Sequence, residues 1–229
     1  MLDFSRYDWL SFDCYGTLID WESGILRYLQ PLLQSKGRAA SRDRILNLYS
    51  EFEPHEQAGE YRRYRSVLEC VVRDFARELG FAVSDSEAAG LAESIQRWQP
   101  FPDTVAGLRR LRSRYKLAVL SNIDDDLLTW SAGKLEVPFD CVVTAQQVES
   151  YKPCRKNFEM LLDRLGCDRS RLLHVAESLY HDVAPARSLG IATVWVNRRQ
   201  GNAAASKLVE VRADVEVADI RELADLAAL

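Results

Sequence analysis

Apolar residues recur along this chain in two spacings. Short consecutive runs at Tyr7 to Phe12, Lys116 to Leu120, Arg171 to Ala176 and Ile191 to Val196 have the length and β-branched content of buried strands. Between them, stretches such as Thr104 to Tyr115 and Phe158 to Leu165 repeat apolar positions every three or four residues, the spacing of an amphipathic helix. Alternation of this kind predicts an α/β fold, a Rossmann-like parallel sheet with helices on both faces. Cys141 to Thr144 adds another strand, and Val215 to Val217 is an edge candidate.

Residues 20 to 99 break the alternation. Gly24 to Gln34, Arg42 to Phe52, Tyr61 to Leu79 and Glu87 to Trp98 all carry helical spacing, with no strand between them. The expected organisation is an α/β core from residues 1–20 and 100–229, interrupted by an all-helical cap domain at 21–99. The return linker, Gln99-Pro100-Phe101-Pro102-Asp103, forbids helix continuation at its two prolines, and Asp103 is expected to cap the helix that follows. Ser84 and Glu87 have the spacing of a capping box. Open α/β sheets bind ligands beyond the carboxyl ends of their strands. Those ends carry Asp13, Ser121-Asn122, Lys152 and the run Glu177 to Asp182, and the helical insertion leaves the core just after Asp13, where a lid would sit.

Composition narrows the partners. Thirty basic and 34 acidic residues give a net charge of -4 over 229 residues, without long one-sign blocks, so neither nucleic acid nor a membrane is an expected partner. The opening MLDFSRYDWL carries acids and no apolar core of signal-peptide type, and no segment reaches membrane-spanning length. Cys14, Cys70, Cys141, Cys154 and Cys167 show no CxxC spacing, which fits reduced thiols in a cytoplasmic protein rather than disulfides or a zinc site. A small-molecule substrate is the expected partner, and a homodimer is compatible with the chain.

Taken together, FDCYGTL (residues 12–18), LSNI (120–123), YKP (151–153) and VAESLYHD (175–182) resemble, in order and spacing, the four motifs of the haloacid dehalogenase (HAD) superfamily. Tyr15, the YKP motif and the WVNR segment ending at Arg198 are most similar to the L-2-haloacid dehalogenase subgroup. The resemblance implies a carboxylate nucleophile, Asp13, that forms an ester with its substrate. Thr17 would orient it, and Lys152 would supply a fixed positive charge that lowers its pKa. Asp182 would hold Lys152 or the hydrolytic water, and Glu177 could take a proton from that water. Ser121 and Asn122 suit a substrate carboxylate or an oxyanion. Cys14 and Tyr15, flanking the nucleophile, complete the expected pocket on the core side.

Tyr15 decides the reaction class. Superfamily phosphatases resemble DxDGT, whose second Asp protonates a departing alkoxide. A phenol with an ordinary pKa near ~10 is a weak acid at neutral pH. A halide leaves without a proton, so the expectation is a hydrolase acting at an electrophilic carbon of a small 2-substituted carboxylic acid, with no metal or other cofactor.

The chain also departs from the dehalogenase pattern. Glu177 and Leu179 stand where dehalogenases place a Ser-x-Asn, and this brings the run closer to a phosphatase motif. Under that Mg²⁺-dependent phosphatase alternative, Asp13, Glu177 and Asp182 would offer the metal oxygen ligands. Phe158 occupies the position of an expected aromatic hydroxyl. The cap arginine that meets the leaving halide falls near Ser50, with Tyr64 and Arg65 as the nearest substitutes. A second alternative, opening of a small strained cyclic amino acid by the same ester, would use Glu177 and His181 to manage a nitrogen leaving group.

Overall fold

The computed structural model describes residues 2–198 and 210–228. Six strands form one parallel sheet in the order β3-β2-β1-β4-β5-β6: β1 Trp9–Phe12, β2 Lys116–Ser121, β3 Cys141–Thr144, β4 Leu172–Ala176, β5 Ala192–Val196 and β6 Val215–Val217. The first strand is central. Its register pairs Phe12 with Val119 on one side and Val175 on the other, so the ends of β1, β2 and β4 open into the same crevice. The strand reversal on either side of β1 makes this the switch point of the sheet.

Alternation along β2 sorts side chains to opposite faces. Leu117 and Val119 join an apolar cluster with Leu10, Phe12, Leu173 and Val175, whereas Ala118 and Leu120 join Val143, Phe158 and Leu161 on the other face. The crossover helices are α5 Thr104–Arg112, α6 Asp125–Leu135, α7 Ala145–Val148, α8 Arg155–Leu165 and α9 Ala184–Ser188, numbered to follow four helices between β1 and the linker, and α10 Ile220–Leu226 follows the last strand.

Those four are α1 Trp21–Ser35, α2 Arg42–Gln57, α3 Tyr64–Leu79 and α4 Asp85–Ser94. Their buried faces, including Ile25, Leu29, Ile45, Phe75 and Leu91, belong to the same apolar cluster as the Leu117 face of the sheet. Gly24 lets α1 approach the linker closely, since a Cβ there would come within 2.5 Å of the Trp98 ring. The capping box at the start of α4 is formed on both sides: Glu87 N–H donates to Ser84 Oγ and Ser84 N–H to Glu87 Oε2.

Two local expectations differ from what forms. Helix α3 begins at Tyr64 rather than Tyr61, because its N-terminus is capped by a core residue. The buried Asp124 carboxylate accepts the backbone N–H groups of Tyr64 at 2.9 Å and Arg65 at 3.0 Å, a long-range cap that no local sequence pattern encodes. Asp103 occupies the cap position of α5 without making a capping bond. Its carboxylate instead pairs with Arg198 at 2.9 and 3.1 Å and accepts Ile220 N–H at 2.9 Å, tying α5 to α10 and to the end of β5.

Among the described residues no helix is long and apolar enough to cross a membrane, and the five cysteines are free thiols.

Candidate active site

Beyond the strand ends lies a cavity of about 130 Å³, lined on one wall by strand-end residues and on the other by the inserted helices. Asp13 follows β1 directly, its N–H donating to Val175 O at 3.1 Å. The turn after it needs Gly16, whose φ of 100° is unfavourable for any residue with a Cβ, and that turn brings Thr17 back under the carboxylate. Thr17 Oγ1 donates to Asp13 Oδ2 at 2.7 Å and accepts the Glu177 N–H at 2.9 Å. The hydroxyl proton is therefore aimed at Asp13.

Lys152 is 2% exposed and spends all three of its ammonium donors on the protein: Asp13 Oδ1 at 2.9 Å, Asp182 Oδ1 at 2.6 Å and Leu120 O at 2.9 Å. Its backbone is clamped by Asn122, whose Oδ1 accepts Lys152 N–H at 2.7 Å and whose Nδ2 donates to Lys152 O at 3.1 Å. Asn122 thus positions the lysine and also lines the cavity. Asp182 sits on a π-helical turn, Leu179–Val183, and accepts His174 Nε2 at 3.0 Å as well as Lys152. His174 Nδ1 in turn meets Ser11 Oγ at 2.8 Å. A continuous buried chain runs from Ser11 through His174, Asp182 and Lys152 to Asp13.

Charge follows from this geometry. Burial would raise the Asp182 pKa, but Lys152 and His174 outweigh it and hold the group at about 2. Asp13 shares the same cation, and burial together with the Asp182 charge raises its pKa against the opposing pull of Lys152 and Thr17. Lys152 is kept protonated despite burial by the two carboxylates. Burial, then the Asp13 and Asp182 charges, push Glu177 up to about 7, which suits proton transfer near neutral pH. The Tyr15 hydroxyl turns to Ser131 Oγ at 2.9 Å, and burial raises its pKa well above the ordinary phenol value.

Of the sequence-predicted residues, Asp13, Tyr15, Tyr64, Ser121, Asn122, Lys152, Glu177 and Asp182 line the cavity, and Thr17 lies beneath it. Cys14 and Arg65 do not line it. Cys14 is fully buried in the apolar cluster. The Arg65 guanidinium pairs with Glu93 and with Asp126, the latter at 2.7 Å, and lies over the Trp130 ring. Phe158 is buried edge-on against His174 rather than facing the cavity. Ser121 is 2% exposed, and its Oγ has no hydrogen-bond partner among the described residues.

Sequence reasoning missed Tyr49 and Glu53, both on α2 and both lining the cavity. Tyr64 Oη contacts Tyr49 Oη at 2.9 Å and donates to Glu53 Oε1 at 3.2 Å. Burial pushes the Glu53 carboxyl up to about 7 against that hydrogen bond. The signal was present: Ile45, Tyr49 and Glu53 follow at four-residue intervals, which puts an acid on the buried stripe of the helix.

The acids do not fit a magnesium ion in this arrangement. Lys152 Nζ occupies the space between Asp13 and Asp182, whereas Mg²⁺ needs converging oxygens at ~2.0–2.1 Å. Among the described residues, the His/Cys/Asp/Glu set whose ligand atoms gather within 4.8 Å is His55, Glu56 and Asp74 on the inserted helices, outside the cavity.

A family model for haloacid dehalogenase-like hydrolases matches residues 7–190. The chain belongs to the haloacid dehalogenase-like hydrolase family. It is similar to the (S)-2-haloacid dehalogenase of Pseudomonas sp. strain YL, 31% identical over 196 residues that cover 82% of each chain. It is also similar to the glyceraldehyde 3-phosphate phosphatase of Methanothermobacter thermautotrophicus, 29% identical over 168 residues, covering 72% of this chain and 73% of that one. The L-2-haloacid dehalogenase of Xanthobacter autotrophicus, solved with chloropropionic acid covalently bound, shares the fold with a TM-score of 0.81 at 20% identity, over 97% of this chain and 98% of that one. As a haloacid dehalogenase-like hydrolase, the chain keeps its acid, lysine and hydroxyl groups at the strand ends where the family motifs resemble its own.

Proposed function

We propose that the protein hydrolyses a small 2-haloacid at its 2-carbon through an ester on Asp13, without a metal. The observation that carries this reading is the clamp on Asp13, with Lys152 at one oxygen and Thr17 at the other. One Asp13 oxygen attacks the 2-carbon as the carbon-halogen bond breaks and the halide departs with the electron pair. Glu177 then takes a proton from water, which adds to the Asp13 carbonyl carbon. Lys152 stabilises the oxyanion that forms there. Collapse expels the 2-alkoxide, which takes the proton held by Glu177 and leaves as a 2-hydroxy acid whose new oxygen came from Asp13, and the proton left on the Asp13 carboxyl goes to solvent.

Ser121 Oγ would bind the substrate carboxylate, and residues 21–99 would act as a cap that closes over it. The cavity volume suits a small acid and excludes a polymer. The magnesium-dependent phosphatase reading is disfavoured by Tyr15, whose hydroxyl is committed to Ser131, and by the lysine between the two acids. The test is chloride release from (S)-2-chloropropionate in excess EDTA, run beside p-nitrophenyl phosphate with Mg²⁺. Chloride release unaffected by EDTA is expected. Phosphate release that needs Mg²⁺, with no chloride release, would reverse the assignment.

A further inference from the structure

The helical wall carries an acid where a site for a simple anion needs a cation. Arg62 is held by Glu56, Arg63 by Asp126 and Gln146, and Arg65 by Glu93 and Asp126; none of the three lines the cavity. Lys152 is the one lysine or arginine among the described residues on the cavity wall, and its donors are already spent. Against that single cation stand Asp13, Asp182, Glu53 and Glu177. A substrate carrying only a carboxylate would add one more negative charge to a crowded, partly desolvated site.

Glu53 is built to receive a donor. Its protein partners, the Tyr64 hydroxyl and the Gln57 amide, both fall on Oε1, which leaves Oε2 for a ligand. Trp21 and Tyr49 line the same cavity, their rings packed on each other with centroids 5.3 Å apart. On the strand-end wall, Ser121 Oγ is buried and unpartnered among the described residues. The cavity therefore offers a donor for a carboxylate at the strand ends and an acceptor for a cation on the helices.

We infer that the site selects a small 2-substituted carboxylic acid that also carries a protonated nitrogen, its carboxylate at Ser121 and its ammonium at Glu53. Such a zwitterion enters without changing the net charge of the cavity. A 2-halo acid with an amino group, or a strained nitrogen ring beside a carboxylate, belongs to this class. The inference rests on the reading that the cavity takes a 2-substituted acid, but its test does not require Asp13 to form an ester.

The test uses two unreactive 2-hydroxy acids, (S)-lactate and (S)-3-amino-2-hydroxypropanoate, titrated into the whole protein at pH 8 by calorimetry. The amino compound should bind about tenfold tighter or better, the size of one hydrogen bond to a charged group. Glu53→Gln should bring the two affinities to within about twofold, by weakening the amino compound while lactate, meeting one acid fewer, binds no more weakly than before. The wild-type comparison needs no variant, so a misfolded Glu53→Gln would leave it intact. Lactate binding as tightly as the amino compound, undetectable binding of both at tens of millimolar, or a preference that survives in a folded Glu53→Gln would each overturn the inference. Failure of the ester would show only in oxygen labelling of Asp13, so the two ideas fail separately.

Discussion

The two walls of the cavity are built on different principles. On the strand-end wall the polar groups are tied into one network: Lys152 bridges Asp13 and Asp182, His174 backs Asp182, and Asn122 fixes the lysine backbone. On the helical wall the polar groups form a looser set, a tyrosine pair and one half-buried acid, Glu53, among aromatic rings. The first wall resembles machinery, where a misplaced charge costs both fold and rate. The second resembles a selector, where an altered group changes what enters.

Removing Lys152 should break the first wall most severely. Lys152→Met leaves Asp13 and Asp182 buried together without their cation, and loss of about 3–5 kcal/mol in urea unfolding is expected, with activity down at least ~10³-fold. A stability change below about 1 kcal/mol would mean that the carboxylates protonate without cost.

Glu177→Gln ranks second. It should slow breakdown of the ester by about 10²–10⁴-fold while letting the first step proceed, so that intact-mass measurement finds protein carrying the carboxyalkyl remnant of the substrate. Because a base must be unprotonated to act, wild-type turnover should rise with a midpoint near the Glu177 pKa of about 7. The rise should vanish from the residual activity of the Gln variant. If it persists there, Glu53 or another group sets the profile.

The helical wall answers in stability rather than rate. Glu53 and Glu177 are both raised to about 7 in the folded protein, against an ordinary value near ~4.3 in an unfolded chain. Between those values the folded state holds more protons than the unfolded one, so stability must fall as pH rises from 5 to 8. Glu53→Gln should remove part of that fall, recovering about 2–4 °C of Tm at pH 8 per kcal/mol regained and leaving pH 5 little changed. Thermal melts at the two pH values decide it.

Tyr15→Phe should matter least. Its hydroxyl serves Ser131, so about 1 kcal/mol of stability and less than about threefold in kcat/KM are expected to be lost. A large loss in kcat alone would mean that the phenol takes part in the chemistry.

What the sequence revealed divides along the same line. Strand runs, their order of appearance and the chemistry at their ends were legible because a parallel strand writes its burial as a continuous apolar run and its last residue faces the crevice. Asp13 was placed for that reason, and Thr17, Lys152 and Asp182 by the resemblance of their motifs to those of the haloacid dehalogenase superfamily. The chain of support behind them was not, since Ser11 and His174 lie inside strands β1 and β4 and meet only through sheet register. The helical wall was harder still. Helical spacing identifies α2 and α3 but does not say which turn looks into a cavity, so the sequence pointed to Arg65 on α3, and Glu53 on α2 went unnoticed. Asp124, by capping α3 from the core, rotates Tyr64 inward and leaves Arg65 to Glu93 and Asp126. Likewise Asp103 reads as a local cap, but a distant arginine, Arg198, has the stronger claim on its carboxylate.

Everything asked of the strand-end wall depends on Asp13 bonding to the substrate. The most direct test is a single turnover in heavy-oxygen water with enzyme in excess over a 2-haloacid, followed by mass spectrometry of the peptide that contains Asp13 and of the hydroxy acid released. Heavy oxygen in the Asp13 carboxylate and ordinary oxygen in the product are predicted. Label in the product, with Asp13 unchanged, would mean that water attacks the carbon directly and would contradict the account.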